Sequence, residues 1–251
     1  MKKDLHRVRY RDLFSSHPSG KPLLLSAKPN ERIIILSDCH LDERFDPKRY
    51  LQLKRIIQLA DHLIINGDFW ADSHVSFEKF VNSKWNELFP SLLKVKTYYI
   101  FGNHDMPMHS DSRIYMFCTW AGFRIKLKAG DLSFHIEHGH LLSENVVRRT
   151  LMAFEGHPRL LQIATFPFGA FENIVRFGAK KAKVKLLHAI NTPFKTKRME
   201  VSHPDEYFVM GHTHLPELDW KQKYINTGLT HKGSFNYVEI YKNSITLKNL
   251  E

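Results

Sequence analysis

Residues 33–40 read IIILSDCH, an apolar run that ends in an Asp-x-His group. Four large aliphatic residues in succession predict a strand that is buried on both faces, as strands of a parallel sheet are. The arrangement returns twice: residues 62–66 run into Gly67-Asp68, and residues 97–101 run into GNHD at 102–105. Three such strands, each ending in polar residues, indicate an α/β fold.

The intervals between these strands have the spacing of helices. Residues 47–60 place large apolar side chains at roughly helical intervals, and Pro47 suits the start of a helix. Residues 77–88 repeat large apolar side chains every three or four positions, and we expect this helix to end at Pro90. The order β-α-β-α-β implies parallel strands with right-handed crossovers, and ligands of such sheets bind beyond the carboxyl ends of the strands.

The later strand-like segments are joined by shorter connections. They cover residues 123–127, 133–137, 207–211, 223–226, 237–241 and 244–248. We expect these segments to form a second sheet that packs on the first. Two further polar motifs follow segments of this group: HGH at 138–140, and Gly211-His212 with His214.

The side chains of these motifs are of the types that bind divalent metal ions. The nitrogen and oxygen donors are Asp38, His40, Asp68, Asn103, His138, His212 and His214. Singly, a Gly-Asp pair is usually a turn, and a histidine is usually a surface or hydrogen-bonded residue. Together, the donors recur at intervals of about one strand–helix–strand step, and the strand ends of one sheet gather on one edge.

Two ions about 3.5–4 Å apart need a bridging carboxylate. Asp68 suits that position because it stands alone between the flanking sets. One ion would be completed by Asp38, His40 and His214. The other ion would be completed by Asn103, His138 and His212.

Taken in order, the blocks DxH, GD, GNHD, HGH and GHxH resemble the calcineurin-like metallophosphoesterases over residues 33–230. The resemblance implies a four-layer αββα sandwich of two mixed β-sheets flanked by helices, and hydrolysis of phosphate esters or anhydrides at a dinuclear centre. By match, the seven donors are ligands, His104 is a catalytic histidine that binds no metal, and Asp105 orients it. The family often has an acid three residues after the bridging Asp. Here Ala71 stands there and Asp72 follows, either as a substitute or facing solvent.

The implied reaction is in-line attack on phosphorus by a hydroxide that two metal ions generate from water at neutral pH. His104 would offset charge on the phosphoryl oxygens and give a proton or a hydrogen bond to the leaving oxygen. We expect manganese as the metal, with iron, zinc or cobalt as alternatives, since nitrogen and oxygen donors suit all four.

Positive charge is concentrated in one segment of the chain. The net charge is +11, and residues 142–200 contribute eleven basic against four acidic residues, together with several phenylalanines. The segment begins just after the HGH motif and ends before Gly211, so we expect a helical lid inserted in a domain of residues 31–251. Residues 1–30 are basic and contain prolines, and we expect an N-terminal arm that precedes the first strand.

A basic, aromatic lid at this place is similar to that of the UDP-2,3-diacylglucosamine pyrophosphohydrolases, which act at membrane surfaces. The resemblance implies a lipid-linked, phosphate-bearing substrate, peripheral membrane contact through 142–200, and substrate contacts from Arg148, Arg149 and His140. Two positions depart from that branch, which typically has Arg at the place of His104 and Asp at that of His140. A helical subdomain with its own aromatic core is the alternative for this segment.

Other functions fit the chain less well. A nuclease or nucleotide phosphodiesterase suits the positive charge, but the basic residues are not spread along a groove. A non-catalytic scaffold of the same fold would have lost donors, and all seven are present. The two cysteines form no disulfide framework, and neither a signal peptide nor an apolar run of about 20 residues occurs. We therefore expect a cytoplasmic protein, located at the inner face of the membrane if the substrate is a lipid.

Overall fold

The computed structural model describes residues 21–71, 75–142, 180–231 and 233–250, and of residues 180–189 it describes the backbone alone. Its strands are β1 (Leu23–Ala27), β2 (Ile33–Leu36), β3 (His62–Asn66), β4 (Lys96–Ile100), β5 (Trp120–Gly122), β6 (Arg124–Ala129), β7 (Leu132–Glu137), β8 (Tyr207–Met210), β9 (Glu217–Asp219), β10 (Tyr224–Asn226), β11 (Asn236–Tyr241) and β12 (Ser244–Asn249). Its α-helices include α1 (Pro47–Gln58), α2 (Phe77–Asn82), α3 (Phe89–Lys94) and α4 (Lys180–Val201). Short 3₁₀ helices lie at Lys84–Leu88, Pro107–His109 and Ser112–Met116.

The first sheet has the strand order β12-β11-β2-β3-β4-β5. Strands β2 to β5 are parallel, as the β-α-β-α-β order predicts. The hairpin of β11 and β12 also belongs to this sheet, because Val238 and Ile240 pair with Ile35 and Ile33 of β2. The expectation that residues 237–241 and 244–248 join the second sheet is therefore wrong.

The second sheet has the strand order β1-β6-β7-β8-β10-β9. Strands β6 and β7 form an antiparallel hairpin, and β7, β8 and β10 are parallel to one another. Both sheets are mixed, as predicted. Their facing surfaces form a buried aliphatic layer in which Ile33, Ile35 and Ile64 of the first sheet belong to one cluster with Ile125 and Ile136 of the second.

Helices cover the outer face of each sheet. Leu53 and Ile56 of α1 pack in one cluster with Leu63 and Ile65 of β3. On the other side of the molecule, Phe194 of α4 packs with Phe208, Met210 and Tyr224 of the second sheet. The order is therefore helices, sheet, sheet, helix, which confirms the four-layer αββα sandwich.

The chain forms its first strand earlier than predicted. Residues 23–27 form β1, which pairs in parallel with β6 at the edge of the second sheet, so these residues are part of a sheet rather than of an arm. Only alternate side chains of β1 are covered, which gives a weaker sequence signal than the buried run of β2. The arm stays a prediction for residues 1–20, which lie outside the described residues.

The helix expected over residues 77–88 is two short helices, α2 and the 3₁₀ helix Lys84–Leu88, and α3 follows directly. Ser83 has an extended backbone and its hydroxyl accepts from Trp85 N, so α2 ends at Asn82 and a 3₁₀ turn begins. Pro90 lies in the first turn of α3, where its missing N–H costs nothing. The expectation that Pro90 ends a helix is wrong, because it helps to begin one.

The segment 142–200 is described only in its last part. α4 is helical, as the composition predicts, and it packs on the second sheet through Phe194. The lid role of the segment stays a prediction, because residues 143–179 lie outside the described residues. Among the helices that are described, none is both long and apolar enough to cross a membrane.

Candidate metal centre

The polar motifs meet beyond the carboxyl ends of β2, β3, β4, β7 and β8. Backbone hydrogen bonds tie their loops together: Asp38 N donates to Gly67 O at 3.0 Å, and His40 N donates to Asp68 O at 2.9 Å. Gly211 N donates to His138 O at 3.1 Å, which joins the two loops of the second sheet. Residues far apart in sequence are thus held at one edge of the sandwich.

One set of donors is formed by Asp38, His40 and His214. The Nε2 atom of His214 lies 3.2 Å from Asp38 Oδ1 and 3.2 Å from His40 Nε2. His40 Nε2 is also 4.0 Å from Asp38 Oδ1. Three donor atoms within 4.8 Å of one another could hold a single ion.

A second set is formed by Asn103, His138 and His212. The Asn103 Oδ1 atom lies 2.9 Å from His212 Nδ1 and 3.3 Å from His138 Nε2. Asp68 joins the two sets, because its Oδ2 lies 3.4 Å from His138 Nε2 and 3.9 Å from His40 Nε2. The structure therefore brings all seven predicted donors together, with Asp68 between two groups.

The backbone is strained at the donors themselves. Five of them have positive φ angles of 47° to 65°, a region that residues other than glycine rarely adopt: Asp38, His40, Asp68, His212 and His214. Each such residue costs on the order of 1 kcal/mol. Strain on this scale, confined to residues that converge on one point, indicates that the loops are shaped for a ligand rather than for stability.

Two glycines let the loops approach closely. A Cβ at Gly102 would lie 2.1 Å from Asp68 Oδ1, and a Cβ at Gly67 would lie 2.3 Å from His138 Nδ1. Gly67 also has a φ of +82°. Neither position can accept a side chain without displacing a donor of the site.

Two buried carboxylates give the centre a strong negative potential. Burial opposes ionisation of Asp38, but the facing His214 and His138 outweigh it and hold the pKa of that carboxyl below its ordinary value. Asp68 is equally buried, and His138 and His40 hold its pKa well below the ordinary range. Both carboxylates are therefore charged at neutral pH.

The histidines divide into two kinds. Burial lowers the pKa of His40 to about 4 and that of His212 to about 3, so both rings are neutral at pH 7, the form that binds metal ions. Burial also disfavours the charged form of His138, but Asp68 outweighs it and raises the pKa of His138 to about 9. Binding of a cation beside Asp68 would release this proton.

The ring of His138 is held in place by a hydrogen bond on the side away from Asp68. Its Nδ1 lies 2.8 Å from the carbonyl oxygen of Asn66, which is an acceptor, so Nδ1 carries the hydrogen and Nε2 faces Asp68 and Asn103. An outer partner of this kind sets the tautomer of a metal-binding histidine.

The two predicted catalytic residues lie beside this centre. His104 is half-buried, its backbone N donates to Asp68 Oδ1 at 2.9 Å, and its ring centroid is 5.1 Å from that of His40. Asp105 is buried and accepts from Phe69 N, from Gly102 N and from the Tyr99 hydroxyl. Asp105 therefore holds the loops of β3 and β4 together, and its orientation of His104 stays a prediction.

Burial and the nearby Asp68 charge raise the pKa of the Asp105 carboxyl to about 7. The hydrogen bonds from Tyr99 and Gly102 act in the opposite direction and stabilise the ionised form. Asp105 is therefore less strongly ionised than the Asp68 carboxylate beside it.

The predicted substrate contacts are described only in part. His140 is buried, and its ring centroid lies 5.5 Å from that of His138 and 6.5 Å from that of His212. Arg148, Arg149 and Asp72 lie outside the described residues. Their predicted roles stay predictions.

A family model for calcineurin-like phosphoesterases matches residues 31–216, which include all seven donors. The chain belongs to the calcineurin-like phosphoesterase family. It is therefore a hydrolase that acts on phosphoric esters. No curated protein sequence matches this phosphoesterase.

Solved structures with similar folds include several phosphoesterases. Yfce, a phosphoesterase from E. coli, is 14% identical, aligns with 88% of this chain and 100% of its own, and has a TM-score of 0.44. A dimetal phosphatase from Danio rerio is 13% identical over 88% of this chain and 96% of its own, with a TM-score of 0.45. A predicted phosphoesterase from Streptococcus pneumoniae is 14% identical over 88% and 98%, with a TM-score of 0.37. Similarities of this size carry no argument about function, so the assignment rests on the family match.

The donor set of this phosphoesterase fits the metal dependence of the family. It combines ionised carboxylates, neutral imidazoles and an amide oxygen, which suit divalent ions such as manganese, iron, zinc and cobalt. Two buried carboxylates held within reach of the same histidine would repel each other without a cation between them. The residues present therefore fit the expected metal, and its identity stays a prediction.

The structure also shows supporting residues that the sequence did not reveal. The hydroxyl of Ser37 donates to Asp38 Oδ2 and contacts the hydroxyl of Thr227, while Asn226 Nδ2 donates to Gly211 O at 3.0 Å. Ser37 directly precedes a donor, Asn226 is the last residue of β10, and Thr227 follows it. The sequence indicates a role for these three residues only through their positions next to a donor or at the end of a strand.

Proposed function

We propose that the chain is a dinuclear phosphoesterase that hydrolyses a phosphodiester or pyrophosphate bond. The observation that carries this proposal is the position of Asp68, which lies within 4 Å of donors from two separate sets. A carboxylate in that position can bridge two ions about 3.5–4 Å apart.

The assignment of donors follows their distances. Asp38, His40 and His214 would hold one ion, and Asn103, His138 and His212 would hold the other. The two ions, when bound, supply a nucleophile at neutral pH by lowering the pKa of water and neutralise charge on the phosphoryl oxygens. Manganese is the ion we expect first.

The protein's own part in the reaction falls to His104. Its backbone N is tied to Asp68 Oδ1 and its ring lies beside His40, so its imidazole stands at the edge of the centre. Asn103 next to it is exposed, which supports a substrate entrance on this side. From there, His104 can give a proton or a hydrogen bond to the leaving oxygen.

The substrate is proposed from the charge and the family resemblance. A net charge of +11 favours a phosphate-bearing molecule. The resemblance of residues 142–200 to the lid of the UDP-2,3-diacylglucosamine pyrophosphohydrolases supports an amphiphilic substrate and contact with a membrane surface. A nuclease or nucleotide phosphodiesterase is the alternative, and the experiment below includes its substrates.

The test is a hydrolysis panel combined with metal analysis of the purified protein. The panel contains bis-p-nitrophenyl phosphate, UDP-2,3-diacylglucosamine, cyclic dinucleotides, single-stranded nucleic acid and simple monoesters, each with manganese. We expect about two metal equivalents per chain and turnover of a diester or pyrophosphate. Turnover of the nucleotide substrates without the lipid would replace the lipid proposal with the alternative.

Two variants test the bridging position. Asp68→Asn should lose both metal binding and turnover, because one neutral amide cannot join two cations. Asp205→Asn removes an exposed carboxylate away from the centre and should change neither. Two metal equivalents and full turnover in Asp68→Asn would refute the dinuclear assignment.

A further inference from the structure

A second concave site lies beside the first donor set. It is a pocket of about 330 Å³, a size at the lower end of the range for small-molecule sites. Its polar walls include Arg44, Lys48, Arg49 and His231, and Phe235 forms an apolar wall. The ring centroid of His231 is 6.3 Å from that of His40, so the pocket is next to a donor of the metal centre.

Arg49 is the unusual residue of this pocket. It is only 6% exposed, and within the described part of the chain no carboxylate forms an ion pair with its guanidinium, although Asp42 and Asp46 lie near enough to favour its charge. Its Nη2 donates to Thr230 O at a long 3.4 Å, and among the residues described its Nε has no hydrogen-bond partner. Burial of a cation without a paired anion costs free energy, and a bound anion would offset this cost.

The carboxylates on the pocket wall are already engaged by backbone amides. Asp46 is the N-cap of α1, where its Oδ1 accepts from Lys48 N at 2.9 Å and from Arg49 N at 3.3 Å. Asp42 Oδ1 accepts from Arg44 N at 2.8 Å. The pocket is therefore lined by three cationic side chains and by only two carboxylates, and both carboxylates already accept hydrogen bonds from backbone amides.

We propose that this pocket binds a phosphate group of the substrate that is not the one cleaved. The proposal rests on the proposed function for the scissile bond and deepens it, because it makes the substrate a molecule with at least two phosphates. A guanidinium with an unfilled Nε–H suits a phosphate, whose oxygens accept from two N–H groups of one arginine.

The pocket is also structurally continuous with the metal centre. Thr230 O accepts from Arg49, and Thr230 N donates to Asp38 O at 3.3 Å. One residue thus links the phosphate pocket to the segment that carries the first donor. The exposed cations Arg44 and Lys48 stand at the entrance, where they would attract an anion from solution.

The first experiment measures phosphate binding by calorimetry on the full chain. Inorganic phosphate is titrated into protein as purified and into protein stripped of metal with a chelator, where the centre no longer competes for phosphate. We expect wild type to bind phosphate in both states and Arg49→Gln to bind it about 10- to 100-fold more weakly after stripping. Arg55→Gln removes an exposed charge from the same helix outside the pocket and should bind like wild type.

A second variant keeps the test valid if the buried Arg49→Gln substitution prevents folding. Arg44→Gln/Lys48→Gln changes two exposed residues and should also weaken phosphate binding severalfold. Wild-type affinity in this double variant and in folded Arg49→Gln would overturn the proposal. Absence of phosphate binding to stripped wild type would overturn it as well. Neither result depends on turnover, so failure of the pocket is distinguishable from failure of the proposed enzyme activity.

The second experiment separates a substrate phosphate from free phosphate. UDP and UMP are titrated into the metal-loaded protein. If the pocket holds a second phosphate of the substrate, UDP binds at least tenfold more tightly than UMP, and this ratio falls in Arg49→Gln but not in Arg55→Gln. An unchanged ratio in Arg49→Gln, with phosphate still bound in the first experiment, would leave free phosphate as the ligand and overturn the substrate assignment.

Discussion

Asn191 Oδ1 accepts a hydrogen bond of 2.9 Å from the hydroxyl of Thr213, the residue between the donors His212 and His214. Asn191 is fully buried on α4, and its Nδ2 donates to Leu215 O at 3.3 Å and to Glu217 Oε2 at 2.8 Å. Helix α4 is thus hydrogen-bonded to the loop that carries His212 and His214, both between these two donors and just after them. Substitutions in α4 should therefore change the metal affinity of the centre.

Replacing Asn191 with alanine should loosen this loop. The buried Thr213 hydroxyl and Leu215 carbonyl would each lose a partner, at a cost of about 1–3 kcal/mol of folding free energy. Outer partners of ligands are worth about 10- to 100-fold in metal affinity, so we expect a loss of that order. Metal titration and urea unfolding measure the two effects. Thr196→Ala on the exposed side of α4 is the control, and equal metal affinity in both variants would contradict the positioning role.

Gly102→Ala should disrupt the centre without changing any donor. The added Cβ would lie 2.1 Å from Asp68 Oδ1, so Asp68 must move away from the position between the two sets. We expect at least tenfold weaker metal binding and a corresponding loss of turnover. Asp205→Asn, at an exposed carboxylate away from the centre, is the control and should keep its metal affinity and turnover. Retained metal affinity in Gly102→Ala would show that Asp68 tolerates displacement.

The donors could be predicted from sequence because each one follows an apolar run within four residues. Asp38 and Asp68 follow buried parallel strands, and the rule that ligands gather beyond such strand ends is general. The four-layer sandwich was implied by the resemblance of the ordered motifs to the calcineurin-like metallophosphoesterases. Local sequence was therefore sufficient to predict that these residues meet at one edge, whereas their role as metal ligands stays a prediction.

The supporting contacts could not be predicted, because each joins distant segments. Ser37 meets Thr227 across 190 positions, and Asn191 meets Thr213 across 22, with no periodicity to connect them. Arg49 has the sequence pattern of an ordinary surface cation on α1. Only the packing of α1 against Trp85, whose ring is 5.6 Å from the guanidinium, shows that it is buried.

His104→Ala should separate catalysis from metal binding. If His104 acts on the leaving oxygen, the variant keeps about two metal equivalents and loses about 10²- to 10⁴-fold in kcat. Metal analysis and steady-state kinetics on bis-p-nitrophenyl phosphate provide the two readouts. His203→Ala removes an exposed histidine and should alter neither. Loss of metal in His104→Ala would instead make His104 a ligand, since it also lies within ligand distance of His40 and Asp68.

The acid stability of the protein should depend on Asp219, which anchors α4 to β9. Lys195 Nζ donates to Asp219 Oδ2 at 2.8 Å and also contacts Glu217. Burial opposes the charge of Asp219, but the hydrogen bond from Lys195 outweighs it and lowers the pKa of the carboxyl. A lowered folded-state pKa means that the stabilisation is complete above the unfolded pKa of about 3.9 and is lost as pH falls through the folded value.

Asp219→Asn should therefore be less stable than wild type at pH 7, by about 1–3 kcal/mol, because the charged hydrogen bond to Lys195 is lost. The difference should shrink as pH falls below about 4, because Asp219 of wild type becomes protonated there, first in the unfolded chain and then in the folded protein. Urea unfolding of both proteins between pH 7 and pH 2.5 measures this difference. Asp205→Asn, at an exposed carboxylate, should follow the wild-type curve throughout. A gap between Asp219→Asn and wild type that stays constant down to pH 2.5 would mean that packing, and not the charge of Asp219, holds α4 against β9.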